Sequence, residues 1–361
     1  MSFLARGDRR GRRSVALVAV GALMTFQALG IVEAPSALAV SSCTFSGGTL
    51  SIVLSRGESI VFSQNAWGVV LVNGANTTAA PCSTTRATVT NTTAISVTGS
   101  RGDQDVTVQM DVAGAGTTIV SWGTINWPID LASGSGDSVT IDGSDLTTDD
   151  VDITLGASGI DLNGDDDLDV ILAGVEDVFV DGGDRDDTIW AAGSAATGAP
   201  FTVNLTARGG DGDDTLASGA GDDNLRGGVA GNLGDMIDFS GATAAVDVDL
   251  LGGVATGMGS DVLADFENVA GSAFDDHITG NELSNSLNAR EGKDHLRGEG
   301  GDDTIRGAGG EDTLRGGSGE DDLLGGAAND RLFGGGGTDF GDGGGGKDVC
   351  KGVEMKRSCG T

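Results

Sequence analysis

The sequence predicts an all-β chain that ends in a repeat solenoid, and three observations predict it. Helical periodicity of any length is absent after the N-terminal apolar run. Short runs that alternate apolar and polar residues recur instead, as in Thr49 to Leu54 and Asp105 to Met110. The third is decisive. Residues 271–350 divide into nines without a slip: GSAFDDHIT, GNELSNSLN, AREGKDHLR, GEGGDDTIR, GAGGEDTLR, GGSGEDDLL, GGAANDRLF, GGGGTDFGD and the truncated GGGGKDVC. A fixed period of this kind marks a solenoid.

Each unit explains its own shape. The Gly-rich first residues take positive φ at no steric cost and make a tight turn. The last three read x-U-x, one short strand with its middle side chain on one face. That eighth slot holds Ile278, Leu287, Leu296, Ile305, Leu314, Leu323 and Leu332, and lapses at Gly341. One apolar side chain per unit closes no core, but stacked units do. If two units make one coil, residues eighteen apart share a side, about 4.8 Å from one another. The sixth slot then forms two columns, Asp276, Asp294, Asp312, Asp330 and Asp348 on one edge and Asn285, Asp303, Asp321 and Asp339 on the other. Carboxylates so close repel unless a cation sits between them. Ca²⁺ suits the site, because it takes six to eight carboxylate and carbonyl oxygens in loose geometry. No Cys or His occupies these slots, which disfavours a transition metal.

GEGGDDTIR and its neighbours resemble the G-G-x-G-x-D-x-U-x nonapeptide of RTX (haemolysin-type) calcium-binding repeats. The resemblance covers 271–350 continuously, with earlier copies at 182–190, 209–217 and 218–226. It implies a right-handed parallel β-roll with Ca²⁺ held between coils. Carried onto this chain, the implied ligands are Asp187, Asp214 and Asp223 upstream, and Asp276, Asp294, Asp303, Asp312, Asp321, Asp330, Asp339 and Asp348 downstream. The pattern weakens where Phe274 and Leu283 replace turn Gly, Asn285 replaces Asp, Ala289-Arg290 replaces Gly-Gly and Arg185 enters a turn. If paired turns share one ion, the downstream block holds at most seven, four along one edge and three along the other, and the weakened turns near 271–297 lower that number. Without Ca²⁺ the tract is expected to be an acidic, disordered chain.

Residues 1–39 read as a targeting segment: Arg6, Arg9, Arg10, Arg12 and Arg13, an apolar run from Ser14 to Val32, and Ala37-Leu38-Ala39 before a cleavage point. The paired arginines hint at twin-arginine export, although the fuller motif is absent. Val40 to Cys43 is a marginal lipobox, the minor alternative in which Cys43 carries a lipid tether. The formal charge is −33, and removing a segment of +3 leaves about −36. Such a chain opposes nucleic acid and anionic membrane surfaces, favours cations, and resists compaction until they bind. Four cysteines fall into local pairs, Cys43 with Cys82 and Cys350 with Cys359, which an exported protein uses as disulfides.

The segments follow in order. Residues 40–135 read as an N-terminal β-domain or an irregular β-solenoid, with Trp67, Trp122 and Trp127 packed inside it. Residues 136–181 continue as irregular solenoid strands, in which Asp161 to Asp167 imitates a calcium loop but reads as a solvated turn. Residues 182–234 form a first repeat block, 235–270 an inserted β segment that separates two blocks, and 271–350 the second block. Residues 351–361 close the end behind the Cys350–Cys359 loop.

No catalytic constellation is visible. His277 and His295, the two histidines, both hold the outward seventh slot, eighteen apart, and read as exposed, stacked side chains. H-E-x-x-H and G-x-S-x-G are absent. Asp pairs carry no information in a repeat whose sixth slot is acidic. Arg226, Arg297, Arg306 and Arg315 hold the ninth slot and read as an exposed face that offsets neighbouring carboxylates. The expectation is a secreted, extracellular, non-enzymatic protein that folds on Ca²⁺. The alternatives are an adhesion or envelope protein with a surface ligand on residues 40–180, and, less favoured, a hydrolase with an RTX tail.

Overall fold

The computed structural model describes residues 42–46, 49–54, 59–65, 70–72, 75–76, 94–98, 105–113, 127–131, 136–143, 150–162 and 168–359. The targeting segment, the lipobox, the Cys43–Cys82 pairing, the packing of the three tryptophans and residues 163–167 lie outside the described residues. Among those described there is no helix, and the strands fall into two sheets of sixteen.

The nines become coils as their letters dictate. In each downstream unit a strand from one sheet is followed by a Gly-rich turn and a strand of the other. Residues eighteen apart pair in parallel: His295 with Thr313, Leu296 with Leu314, Arg297 with Arg315. The other sheet repeats this with Ile305 beside Leu323. The second and fourth turn positions need positive φ, as at Gly317 (132°) and Gly319 (142°). Where Glu299, Ala308, Ala328 or Arg185 stands in a turn, the stack still forces φ between 73° and 93° on it.

One core runs the length of the stack. Ile278, Leu296, Leu314 and Leu332 face Leu287, Ile305 and Leu323, all buried. Upstream the coils are wider, and each strand buries two residues: Ile60 with Phe62, Val106 with Val108, Val139 with Ile141. At the far end Gly341 leaves a gap in the column, and Val353 fills it, only 2.9 Å from where a Gly341 Cβ would stand. Cys350 bonds Cys359 behind it, as the spacing implies.

Two expectations about segments are corrected. The described strands within 40–135 fit the alternative named second, the start of the solenoid itself: Ser59–Asn65 pairs with Asp105–Ala113, which pairs with Ser138–Asp142, which pairs with Asp177–Asp184, all in parallel. Nor does 235–270 separate two blocks. Met236–Asp238 sits between Thr215–Ala217 and Asn268–Ala270 in one sheet. In the other, a meander of Asp247–Asp249, Val254–Thr256 and Ser260–Ala264 joins Asn224–Ala230 to His277–Thr279. Leu38–Thr361 is accordingly one unit. Asp161, expected in a solvated turn, lies buried in the strand Gly159–Asp161.

Candidate metal centre

The acid of each unit stands two residues before the buried apolar one, so it enters the roll at the corner where turn becomes strand. Its backbone leads into the ladder and its carboxylate turns inward, against the next coil. Oδ1 of Asp294 accepts the Asp276 N–H at 2.8 Å. Asp312, Asp330 and Asp348 each accept from the acid eighteen residues earlier, at 2.9, 2.9 and 3.0 Å. The second column runs from Asn285 through Asp303, Asp321 and Asp339 at 2.8, 3.0 and 3.0 Å, and ends with Glu354 accepting the Asp339 N–H at 2.9 Å. Both expected columns are therefore present and continuous.

The other oxygen of each carboxylate decides the chemistry. Oδ2 of Asp187, Asp214, Asp294, Asp303, Asp312, Asp321, Asp330, Asp339 and Asp348 is buried and has no hydrogen-bond partner in the protein. Leaving a buried charged acceptor unmatched costs more than the ~1–3 kcal/mol of a neutral one. A cation or a proton would supply the missing partner. Oxygen surrounds its place: a Cβ added to Gly325 would come within 2.5 Å of Asp330 Oδ2 and 2.8 Å of the Gly343 carbonyl oxygen on the next coil. Gly307 brings Asp312 Oδ2 and the Gly325 carbonyl together in the same way. Among the described residues no three His, Cys, Asp or Glu side chains converge, so each seat combines a carboxylate with backbone carbonyls. That donor set fits a hard ion such as Ca²⁺ and no thiophilic one.

Protons are the competitor. Burial raises Asp187, Asp235, Asp294 and Asp303 to about 7, and Asp214, Asp261 and Asp330 to about 6. Neighbouring carboxylates push most of them the same way, against the hydrogen bonds that lower them. Asp312 and Asp321 are also raised by burial.

Two expected ligands differ from the rest. Asp223 and Asp276 stand in the columns, but the chain supplies their partners. Ser218 Oγ lies 2.8 Å from Asp261 Oδ2 and 3.3 Å from Asp223 Oδ2, and the Gly219 N–H reaches Asp223 Oδ2 at 2.9 Å. Asp276 takes the Ser272 N–H at 2.7 Å, its hydroxyl at 2.6 Å and the Val246 N–H at 2.8 Å. Three column members escaped the count by nines: Asp235, whose Oδ2 is likewise unpartnered, and Asp261 and Glu267. The signal was there, an acid two residues before Ile237, Leu263 and Val269. His277 and His295 stack with ring centroids 5.0 Å apart, as their spacing implies.

Residues 206–232, 279–314 and 315–350 match the RTX calcium-binding nonapeptide repeat, in four copies. The chain carries RTX calcium-binding repeats. The matched RTX stretches include Asp214 and Asp223 upstream and Asp294 to Asp348 downstream. They omit Asp276, whose carboxylate Ser272 satisfies, and also Asp187 and Asp235, which have the unpartnered oxygen of a full RTX turn. No curated protein matches the chain.

Proposed function

We propose that this is a secreted, non-enzymatic calcium-binding protein whose roll orders when Ca²⁺ enters the columns. One observation carries the reading: repeated buried carboxylates with one oxygen matched by the preceding coil and the other by nothing in the protein. Residues Asp187, Asp214, Asp235, Asp294, Asp303, Asp312, Asp321, Asp330, Asp339 and Asp348 would hold the ions, with turn carbonyls completing each shell. Bound Ca²⁺ supplies positive charge that repays the burial of these groups. The chain's own part is to fix Oδ1, aim Oδ2 inward and stack Leu and Ile beneath. Binding and folding are then one equilibrium. Affinity of about 10⁻⁴ to 10⁻³ M per site, usual for extracellular modules, suits an exported protein. Export rests on the targeting pattern of residues 1–39. The non-enzymatic reading rests on the absence of a catalytic motif and on the placing of both histidines in the outward row.

Far-UV circular dichroism of the mature chain through a Ca²⁺ titration, with Mg²⁺ as control, tests this. Expected is a cooperative gain of β signal with Ca²⁺ alone, its midpoint moved to higher Ca²⁺ by Asp312→Ala combined with Asp330→Ala. The same β spectrum in excess chelator as in millimolar Ca²⁺ would sink it.

A further inference from the structure

The roll separates charge on its outer surface in a way that composition hides. Every x-U-x strand buries its eighth residue and turns the seventh and ninth outward. On one sheet, five consecutive strands from His277–Thr279 to Val349–Lys351 line up Arg297, Arg315, Arg331 and Lys351 with His277 and His295. The remaining outward places on these strands are Thr279, Thr313, Phe333 and Val349. None of these seventh and ninth places is acidic, and the acid these strands carry is Glu299 at a turn end, in a chain where Asp and Glu outnumber Lys and Arg by 54 to 21. The opposite sheet is mixed: its rows carry Asp322 and Asp342 beside Arg306 and Arg357, and Arg357 pairs with Asp342 at 3.4 Å. Arg226 is likewise paired, with Asp265. The ninth-slot arginines were expected to offset neighbouring carboxylates, and on the His277–Lys351 face they have few to offset.

The strip is also organised. Arg315 lies over the Phe333 ring at 4.7 Å from its centroid and Lys351 at 5.9 Å, so one aromatic holds two cations without neutralising either. Arg297 has one competing partner, Glu299 at 3.6 Å, an exposed and therefore weak ion pair. His277, His295, Arg297 and Arg315 share one shallow depression, with Asp247 at its end.

We propose that this strip binds an anionic polysaccharide, carrying carboxylate or sulfate groups, laid along the axis of the roll. The two outward rows lie about 7 Å apart and the five strands span about 19 Å, which suits one narrow chain several sugars long. A duplex or a bilayer is broad and would press on the exposed acids that flank the strip, Asp275 and Glu311 among them. An acidic peptide gains most from unpaired backbone groups at a sheet edge, whereas the backbone of this face is spent in its own ladder. Thr279, Thr313 and the imidazoles add hydroxyl and ring nitrogen partners for sugar hydroxyls.

The test measures binding of the full chain, in Ca²⁺, to immobilised hyaluronan (carboxylate), dextran sulfate (sulfate) and neutral dextran. Expected is binding to at least one of the two anionic glycans and none to dextran. Arg297→Gln with Arg315→Gln should weaken it at least about tenfold, the worth of one charge-assisted contact. Arg306→Gln, on the other sheet, should leave it unchanged. Binding to neither anionic glycan, equal binding to dextran, tighter binding to polyglutamate or single-stranded DNA, or indifference to the double substitution overturns the proposal. Circular dichroism of each variant reports folding separately. The strip needs only stacked strands, so glycan binding that persists in a chain indifferent to Ca²⁺ would support this inference and count against the calcium reading.

Discussion

Two stretches of the roll bury the same kind of carboxylate and treat it differently. At three corners between 218 and 285, though not at Asp235, the chain provides for it from within: Ser218 lies between Asp223 and Asp261, Ser272 grips Asp276, and Asn285 stands in for Asp and donates its amide to the Glu267 carbonyl at 2.9 Å. From Asp294 to Asp348 no side chain does so, and every Oδ2 is left over. The acid columns continue through both, although the first stretch carries the antiparallel meander of 247–264 and the second pairs in parallel throughout. Burial of an acid is therefore not in itself a metal site in this fold. What separates the two is the unmatched oxygen, which on the proposed reading takes an ion and which a hydroxyl or amide makes unnecessary elsewhere.

Calcium removal should part the two stretches most widely. At Ca²⁺ about 100 times Kd, each site contributes ~2.7 kcal/mol, so chelation should speed amide exchange across 294–348 by about 100-fold or more. The coils holding Ser218 and Ser272 should lose much less. Hydrogen exchange read by mass spectrometry decides it, and equal loss in both would erase the distinction.

Acid should do part of the work of the ion. Asp294 and Asp303 sit near 7 and Asp330 near 6 in the folded chain, against an ordinary 3.8. With folded values above unfolded ones, the folded state binds more protons. That stability is complete below about pH 4 and is lost as pH rises through 6 to 7. In chelator, lowering the pH from 8 to 5 should thus increase the β signal, while in Ca²⁺ it should move the midpoint to higher concentration. A β signal that falls steadily on acidification in chelator contradicts the assignment.

Smaller effects follow from exchanging the two solutions. Ser272→Ala strips Asp276 of its hydroxyl and should cost about 1–2 kcal/mol in chelator, less in Ca²⁺. Asp312→Asn copies the arrangement at Asn285 and should raise the melting temperature in chelator while removing part of the gain from Ca²⁺. Thermal melts of both variants, with and without the ion, read the pair; identical shifts in the two conditions would contradict it. Smallest of all, His277→Ala should leave the calcium midpoint where it is.

The downstream roll was legible because its signal is local and repeated: an acid, a spacer and an apolar residue at fixed spacing specify corner, strand and core together. The count failed at Gly227, where three extra residues precede Asp235 and the next nine loses its frame. The roll absorbs such insertions because only the acid and the apolar residue must meet their coil neighbours. Residues 40–135 were ambiguous for another reason. Strands such as Asp105–Ala113 alternate as any half-buried strand does, and parallel pairing with Ser138–Asp142 is a property of distant residues. Ser272 carried no signal in the sequence, since the hydroxyl's target lies four residues on and shows only once the turn is closed.

The terminal coil also sets a limit on growth. Val349–Lys351 and Met355–Arg357 are the outermost strands of their sheets, and a bare parallel rim invites another chain to add on. Here Val353 plugs the apolar column, Glu354 takes the last acid's amide, and the Cys359 bond ties the tail across it. A second molecule meets no glycine turn to copy and no leucine to stack upon. The cap closes the acid and apolar columns at this end of the roll, which opposes end-to-end addition of another chain there.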